Sequence, residues 1–363
     1  MKRLAILATV ALLGCGSSEG SRDRNPVASA PPPTASASGA PTVDVSRCYC
    51  GTEPGCPPCS TTSASPSSTA GPAAASGVFP PPNFSAPVEL TAKSGDGTWT
   101  PLSVYGAGAD GSPLVTTLVH PHKNRKFVVT QIVAIDTTRV SMNFVVGPEE
   151  PDGSTFPAQK RTGLVPDSVR DKLIAVTNGG FKKRHGGHGL GVGGEVVLEA
   201  KPDSCTFART KTGQYVIGTH SKIEANLGEF DYFRQTPPCI VEDGVKNPEL
   251  LDDWKIKKWG SDENGKKEIR RSAIGLGKDG RTLYFAIADY STAEWLADAL
   301  ITAGITVAAE LDINYSYTRF IVYERQGGEL VATSPLLTEL KAPRNEYIKS
   351  PSPRDFFYLK WER

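Results

Sequence analysis

The sequence lacks a surplus of charge of either sign. It has 40 basic and 39 acidic side chains among 363 residues, which gives a formal net charge of +1. Proteins that bind nucleic acid usually carry a basic patch or stripe, often interleaved with aromatic residues, and no such stripe is present. The hydrophilic run at 255–267 mixes both signs and contains glycine, so it is predicted to be a solvated loop. Nucleic acid is therefore not expected as a partner.

After its first 15 residues the chain also lacks an apolar run close to the roughly 20 residues that a membrane-spanning helix needs. Those first residues, MKRLAILATVALLGC, join two basic side chains to a short apolar run that ends in LLGC. The pattern is typical of a lipoprotein signal peptide over residues 1–15, in which Cys15 becomes the lipid-bearing first residue. The alternative is a general secretory signal in which Cys15 is incidental. We expect an exported lipoprotein, and because Gly16 rather than Asp follows Cys15, its location is the outer membrane if the host is Gram-negative, facing the periplasm or the cell surface.

Residues 16–85 have few apolar side chains and are dominated by Ser, Pro, Ala, Gly and Thr. Such a composition cannot form a core and predicts a disordered tether between the lipid and a folded domain. Within the tether, four cysteines fall in twelve residues: Cys48, Cys50, Cys56 and Cys59. An oxidising compartment favours two disulfides there, and the alternative is one tetrahedral metal ion.

Residues 86–363 are predicted to form a single α+β domain with a mixed sheet. Inside it, Cys205 and Cys239 are left as a natural disulfide pair. The runs 126–135 and 139–146 alternate between apolar and polar residues, and the short turn between them predicts a hairpin. No internal repeat is visible.

The segment 281–320 has the clearest architecture. Residues 282–288 are rich in β-branched, aromatic and apolar residues, which predicts a buried strand. A helix follows, with Ser291 as its expected cap and Glu294 reaching back to the cap amide. Gly304 supplies a left-handed end to this helix.

From Ile305 the period of the pattern changes to two, as in a strand, with Glu310 and Asp312 on one face. The segment is therefore a predicted β-α-β unit whose two strands run parallel and end at one edge, where open α/β sheets place ligands. Asp289 closes the first strand and Asp312 the second. The alternative is that these acids only cap loops.

A glycine-rich loop follows the predicted strand at 173–177. The strand stops at NGGF, residues 178–181, and the next residues, KKRHGGHGLGVGG at 182–194, combine glycines with cationic side chains. Exposed amides and cations of such a loop can hold an anion, although the spacing differs from the nucleotide phosphate loop. His185 and His188 could also ligate a metal ion, but no third ligand is in view, and a mobile turn is the other interpretation.

Three motifs in order, NGGF at 178–181, RSAIG at 271–275 and ELDINYS at 310–316, resemble those of the phosphodiester glycosidase domain. This is the family of N-acetylglucosamine-1-phosphodiester α-N-acetylglucosaminidase and of many bacterial exported proteins. The resemblance spans residues 115–340 and implies a mixed α+β domain that cleaves the bond between a sugar C1 and the oxygen of a phosphodiester.

The resemblance can be followed residue by residue. The chain departs from the family pattern at Lys182, where a second phenylalanine is usual, at Glu310, where asparagine is common, and at 313–315, where Ile, Asn and Tyr replace three glycines. The residues that match the family motifs are Asn178, Gly179, Gly180, Arg271, Asp312 and Ser316.

The leading hypothesis is a lipid-anchored exported hydrolase of a glycosyl phosphodiester or related envelope glycan. Arg271 and the loop at 182–188 would stabilise the leaving phosphate, and Asp312 would act as base or nucleophile. Glu310 could be the acid, since a like-charged neighbour can raise the pKa of a carboxyl. This scheme requires no metal or other cofactor. The residues expected to bind the sugar-phosphate or glycan ligand are Asn178, Gly179, Gly180, His188 and Ser316.

The alternative is a catalytically inactive family member that binds a carbohydrate or phosphodiester at the cell surface. Ile313 and Tyr315 would fill the space that glycines leave open, and Asn314, Tyr315 and Tyr317 would suit a carbohydrate-stacking platform. A third hypothesis is a tethered metal-binding protein that uses the four-cysteine cluster.

Overall fold

The structure is a computed structural model that describes residues 78–333, Leu336 and residues 345–363. Cys15 and the four cysteines at 48–59 lie outside the described residues, so their lipid, disulfide or metal chemistry stays a prediction. All described residues belong to one compact unit. Within these residues no helix is long and apolar enough to cross a membrane.

The described part is mainly β, with two short α-helices, α1 (His220–Leu227) and α2 (Ala293–Thr302). Short 3-10 helices span Ala158–Lys160, Asp167–Lys172, Pro248–Leu251 and Lys255–Trp259. The strands, in chain order, are β1 (Thr100–Pro101), β2 (Leu114–Val119), β3 (Val129–Asp136), β4 (Val140–Val145), β5 (Leu173–Asn178), β6 (Leu190–Val192), β7 (Glu195–Leu198), β8 (Cys205–Thr210), β9 (Tyr215–Thr219), β10 (Phe230–Thr236), β11 (Val241–Glu242), β12 (Val245–Lys246), β13 (Ile269–Gly277), β14 (Thr282–Ser291), β15 (Ile305–Ile313), β16 (Phe320–Gln326), β17 (Glu329–Ala332) and β18 (Phe356–Trp361).

The strands form three sheets. An eight-stranded sheet has the order β1-β2-β3-β14-β13-β15-β11-β12, and two five-stranded sheets have the orders β7-β6-β10-β8-β9 and β17-β16-β5-β18-β4. All neighbouring strands named here are antiparallel. The predicted α+β class is therefore correct only in that helices and strands are both present. The predicted mixed sheet is not what forms.

The unit β14-α2-β15 differs from its prediction in one respect. Both strands pair antiparallel with β13, so they run in the same direction, as predicted. They are not neighbours, because β13 lies between them. The sequence pattern of 281–320 does not contain β13, which arrives from earlier in the chain. This order places Arg271 of β13 opposite Ala288 of β14 on one side and opposite Ile313 of β15 on the other.

Helix α2 begins one residue later than predicted. Thr292, not Ser291, is its cap, and the Thr292 hydroxyl accepts a hydrogen bond of 3.2 Å from the Trp295 amide. Ser291 is the last residue of β14, and its hydroxyl donates to the Thr292 carbonyl. Gly304 has φ +82°, which confirms the left-handed end of the helix.

The predicted hairpin of β3 and β4 is wrong. β3 pairs with β2 and β14 in the eight-stranded sheet, whereas β4 pairs with β18 in a five-stranded sheet. A turn signal shows only that the chain reverses direction. Here both strands find better partners far away in sequence, and the short link between them passes from one sheet to the other.

The core fills the space between the sheets and extends to both sides of the eight-stranded sheet. One apolar cluster joins all three sheets and includes Phe207, Phe285, Phe320 and Phe357. A second cluster lies on the opposite face of the large sheet, where α2 covers it. The strand predicted at 173–177 is confirmed as β5, every residue of which is buried.

A disulfide joins Cys205 and Cys239, with Cα atoms 4.7 Å apart, as predicted. It links the start of β8 to the segment before β11. Both sulfurs are fully or almost fully buried in the cluster that joins the three sheets. A turn follows β11, with positive φ at Asp243 and Gly244.

Candidate functional site

A cavity of about 1090 Å³ opens beside the ends of β5 and β15. Its wall is built from loops: the glycine-rich loop after β5, the turn before β8, the 3-10 helix Lys255–Trp259 and the segment before β18. These loops carry polar and charged side chains, and the end of β15 contributes Asp312 and Ile313. Concave sites of this size and setting commonly hold small ligands.

Asp312 lies at the base of this cavity and is only 4% exposed. Between Glu310 and Ile313 of β15 the register against β13 shifts by one residue, and such irregularities re-aim a side chain next to a functional site. The Asp312 amide donates to the Gly179 carbonyl at 3.1 Å, which ties β15 to the end of β5. Burial raises the pKa of Asp312 to about 6, although its ion pair with Arg354 acts in the opposite direction.

Arg354 was not anticipated from the sequence, yet it lines the cavity next to Asp312. It forms the ion pair with Asp312, donates to the Gly180 carbonyl at 2.9 Å, and stacks over the Tyr317 ring at 3.8 Å. Its segment, SPSPRDFF at 350–357, contains no pattern that distinguishes this arginine from a surface one.

The glycines of the NGGF motif are needed for packing. A Cβ on Gly179 would lie 2.3 Å from Asp355 Oδ2, and one on Gly180 would lie 2.7 Å from Arg234 Cζ. Asp355 accepts from the Gly180 amide and from Arg234 Nε, both at 2.9 Å, so a buried ion pair supports this turn. Neither glycine lines the cavity. Their predicted ligand contacts do not fit this geometry, and they act by letting Asp355 and Arg234 approach.

Arg271 is likewise placed behind the cavity wall and not in it. It is fully buried, and all five of its N–H groups are used within the protein. A phosphate would find no free donor here, so the predicted phosphate contact does not fit; Arg271 instead fixes the segment that carries Gly260. Its acceptors are the carbonyls of Ser291, Trp259, Gly260 and Lys267 and the carboxylate of Glu310.

Glu310 is fully buried and does not line the cavity. Its carboxylate accepts from Arg271 at 2.7 Å. Burial raises the pKa of Glu310 to about 7, Arg271 opposes that shift, and nearby Asp312 adds to it. The raised pKa agrees with the prediction. The placement does not suit an acid that protonates a substrate, because Glu310 is paired with Arg271 behind the cavity wall.

Asn178 and Ser316 have different positions. The Asn178 side chain is buried, donates to Ser272 Oγ at 2.9 Å and accepts from the Arg319 amide at 3.0 Å. It therefore joins three strands or loops and does not face a ligand. Ser316 is exposed on the cavity wall, where its hydroxyl can contact a ligand as predicted.

His188 lines the cavity, and its Nδ1 lies 3.0 Å from Ser204 Oγ. Burial, together with the charges of Arg234 and Lys201, lowers the pKa of His188 to about 4. The imidazole is therefore neutral at neutral pH and can offer a hydrogen bond to a ligand. Among the described residues no group of three or more His, Cys, Asp or Glu is arranged to hold a metal ion.

Cationic side chains surround the cavity. In the described part of the chain, no carboxylate lies within ion-pair distance of four of them, Lys182, Arg184, Lys201 and Lys257. The Asp203 and Asp312 carboxylates also line the cavity, but cations are in excess and favour an anionic ligand. The run at 255–267 is thus only partly the solvated loop that was predicted, since Trp259 is fully buried and lysines of this run reach the cavity.

No protein-family profile matches the sequence, and no curated protein gives a significant match. Solved structures do show similarity. The catalytic domain of zebrafish N-acetylglucosamine-1-phosphodiester α-N-acetylglucosaminidase, auto-inhibited by its pro-peptide, has 16% sequence identity and a TM-score of 0.46, over 72% of this chain and 87% of that one. A hypothetical protein from Synechocystis has 10% identity and a TM-score of 0.42, over 69% and 62% of the two chains. A Burkholderia pseudomallei protein described as exported has 12% identity and a TM-score of 0.36, over 64% and 74%.

Proposed function

We propose that this chain is an exported, lipid-anchored hydrolase that cleaves the bond between the anomeric carbon of a sugar and the oxygen of a phosphodiester. One observation carries the proposal: the buried Asp312 carboxylate faces a large cavity whose wall bears four cations without a carboxylate partner in the described residues. The resemblance of NGGF, RSAIG and ELDINYS to the phosphodiester glycosidase motifs supports the choice of a sugar phosphodiester.

The chemistry suits this arrangement. A phosphate is a good leaving group, so catalysis needs mainly positive charge near its oxygens, which the lysines of the wall and Arg354 provide. Once ionised, Asp312 can attack the anomeric carbon or activate a water molecule there. The hydroxyl of Ser316 and the imidazole of His188 are available to bond sugar hydroxyls or phosphate oxygens. Glu310, Arg271 and Asn178 hold the wall in place from behind.

The test is release of free sugar from a panel of sugar-1-phosphodiesters by the full chain in detergent. We expect Asp312→Asn, which keeps the shape of the side chain, to lower kcat about a hundredfold or more. Asp243→Asn is the matched control, because Asp243 is exposed in the turn after β11 and away from the cavity, and asparagine accepts its positive φ. Equal rates for the Asp312→Asn variant and the parent chain would overturn the proposal.

A second candidate is a binding module without turnover. It is favoured by Ile313, which stands where the family has glycine and packs against Phe181 and Ile269 at the cavity wall. The same panel separates the two candidates. Measurable binding of a phosphodiester by calorimetry, with no release of sugar by the parent chain, would identify the binding module.

Export is supported by the buried disulfide, since such bonds form and persist in oxidising compartments. The lipid anchor is tested separately. Mass spectrometry of the amino-terminal peptide should show acyl chains on Cys15, and Cys15→Ser should release the protein from membranes. A Cys15→Ser protein that still sediments with membranes would contradict the anchor.

A further inference from the structure

Three exposed aromatic rings lie in a row at the surface: Phe127, Tyr290 and Tyr315, which are 58%, 42% and 40% exposed. The ring centroids of Phe127 and Tyr290 are 5.7 Å apart, and those of Tyr290 and Tyr315 are 6.0 Å apart. Neighbouring rings meet edge to face, with interplanar angles of 89° and 62°. Each ring therefore supports the next while its own surface stays partly open to solvent.

The row is anchored from below. Arg270 lies over the Tyr315 ring at 4.8 Å and forms a two-point ion pair with the Asp289 carboxylate, with distances of 2.9 and 2.6 Å. Burial, followed by Asp289 and Tyr290, raises the pKa of Tyr315 to about 12, so its hydroxyl stays protonated at neutral pH. Rings that are already fixed lose little conformational entropy when a ligand stacks on them.

Two strained backbone positions hold these rings outward. Tyr290 has φ +51° and Asn314, which precedes Tyr315, has φ +100°. Positive φ is a sparsely populated conformation for residues with side chains and is rare for bulky ones. Glycine would relieve the strain at either position. Strain of this kind concentrates at ligand sites, where the surrounding structure maintains it.

The row begins at the rim of the cavity. Asn314 and Ser316 both line the cavity, and Tyr315 stands between them in the chain. A ligand that leaves the cavity on this side passes next to the Tyr315 ring and then Tyr290 and Phe127. Flat aromatic faces with neighbouring hydroxyls match the C–H faces and hydroxyls of pyranose rings, and stacking of this kind adds affinity without requiring charge.

We propose that Phe127, Tyr290 and Tyr315 form a stacking site for successive sugar units of a glycan whose phosphodiester end occupies the cavity. The inference rests on the proposed function for the orientation of the ligand and specifies its class: an oligosaccharide, not a single sugar. The oligosaccharide portion of the ligand lies on the aromatic row, and its anionic phosphodiester lies among the lysines.

Calorimetry with the full chain carrying Asp312→Asn, which prevents turnover, tests the site. The probes are tetrasaccharides of glucose, N-acetylglucosamine, galactose and mannose, each beside its monosaccharide. We expect at least one tetrasaccharide to bind at least about tenfold more tightly than its monosaccharide. Phe127→Ala should remove most of that gain. Tyr105→Ala is the matched control, since Tyr105 is 47% exposed beneath Arg325, outside the row, and its loss should leave the gain intact.

A second variant separates the site from general damage to the fold. Tyr290→Gly removes the ring while glycine accepts the positive φ, so the unfolding midpoint should stay close to that of the parent chain while tetrasaccharide binding weakens about tenfold. The inference is overturned if no tetrasaccharide exceeds its monosaccharide, or if Tyr105→Ala weakens binding as much as Phe127→Ala. Hydrolysis of a monosaccharide phosphodiester by the parent chain, with Asp312 intact, reports on the proposed function alone, because that substrate does not reach the row.

Discussion

Asp312 is the residue on which burial and pairing act in opposite directions. Its ion pair with Arg354 favours the carboxylate, but burial outweighs this and raises the pKa to about 6. The carboxylate is the active form in the proposed reaction. We therefore expect kcat/KM to fall as the pH drops through about 6, because Asp312 then takes up a proton. A pH profile of sugar release measures this midpoint. A profile that stays flat down to about pH 4, the ordinary range of an aspartate, would contradict it.

Arg271 gives a contrasting expectation, since it supports the wall without lining it. Lysine keeps the charge but cannot reproduce five directed N–H bonds. Arg271→Lys should lower the free energy of unfolding by about 3 kcal/mol in urea titrations. Arg281→Lys, at an exposed position, should change it by less than about 0.5 kcal/mol. If Arg271→Lys left stability unchanged and raised KM instead, the arginine would be a ligand contact after all.

At the scale of single residues, the sequence predicts Asp312 but not its ion-pair partner Arg354. Asp312 is recognisable because it closes a strand with a period of two and lies in a motif. Arg354 has neither signal, and only the pairing of β18 with β5 brings it to the cavity. Arg271 and Asn178 are placed near the site correctly, but whether a side chain points into a cavity or behind it depends on partners that no local pattern contains.

Helix α2 is the element whose start can be tested most directly. The Thr292 hydroxyl satisfies the Trp295 amide, so Thr292→Ala should lower the free energy of unfolding by about 1 kcal/mol. Thr155→Ala removes the same atoms from an exposed site and serves as control. Urea denaturation of both variants measures the difference. An equal effect of the two substitutions would show that the cap contributes nothing to stability.

Strands and helices were predictable where the local sequence alone determines them. β5 and α2 lie close to their predicted positions because apolar runs and caps act locally. The predicted hairpin of β3 and β4 does not form because β3 pairs with β14 and β4 pairs with β18, and both partners lie far away in the sequence. The shift of one residue at the start of α2 reflects two adjacent hydroxyl residues that can both cap.

For the whole molecule, the Cys205–Cys239 disulfide is the covalent constraint to test. It closes a loop with a sequence separation of 34 residues, for which restriction of the unfolded chain predicts about 4 kcal/mol of stabilisation. The double variant Cys205→Ala, Cys239→Ala should lose a comparable amount in urea titrations. A reducing agent should destabilise the parent chain and leave the double variant unaffected. Equal destabilisation of both proteins by the reducing agent would show that the Cys205–Cys239 disulfide is not its cause.

The order of strands in the sheet β17-β16-β5-β18-β4 has a consequence for when the cavity is completed. β18 is inserted between β4 and β5, which precede it by most of the described chain, and the residues just before β18 include Arg354 and Asp355. A ribosome or a translocation channel releases the chain in order, so the position between β4 and β5 stays unfilled until β18 is released. The cavity therefore closes only after β18 emerges. A ligand of this cavity can therefore bind only after almost the whole chain has been released.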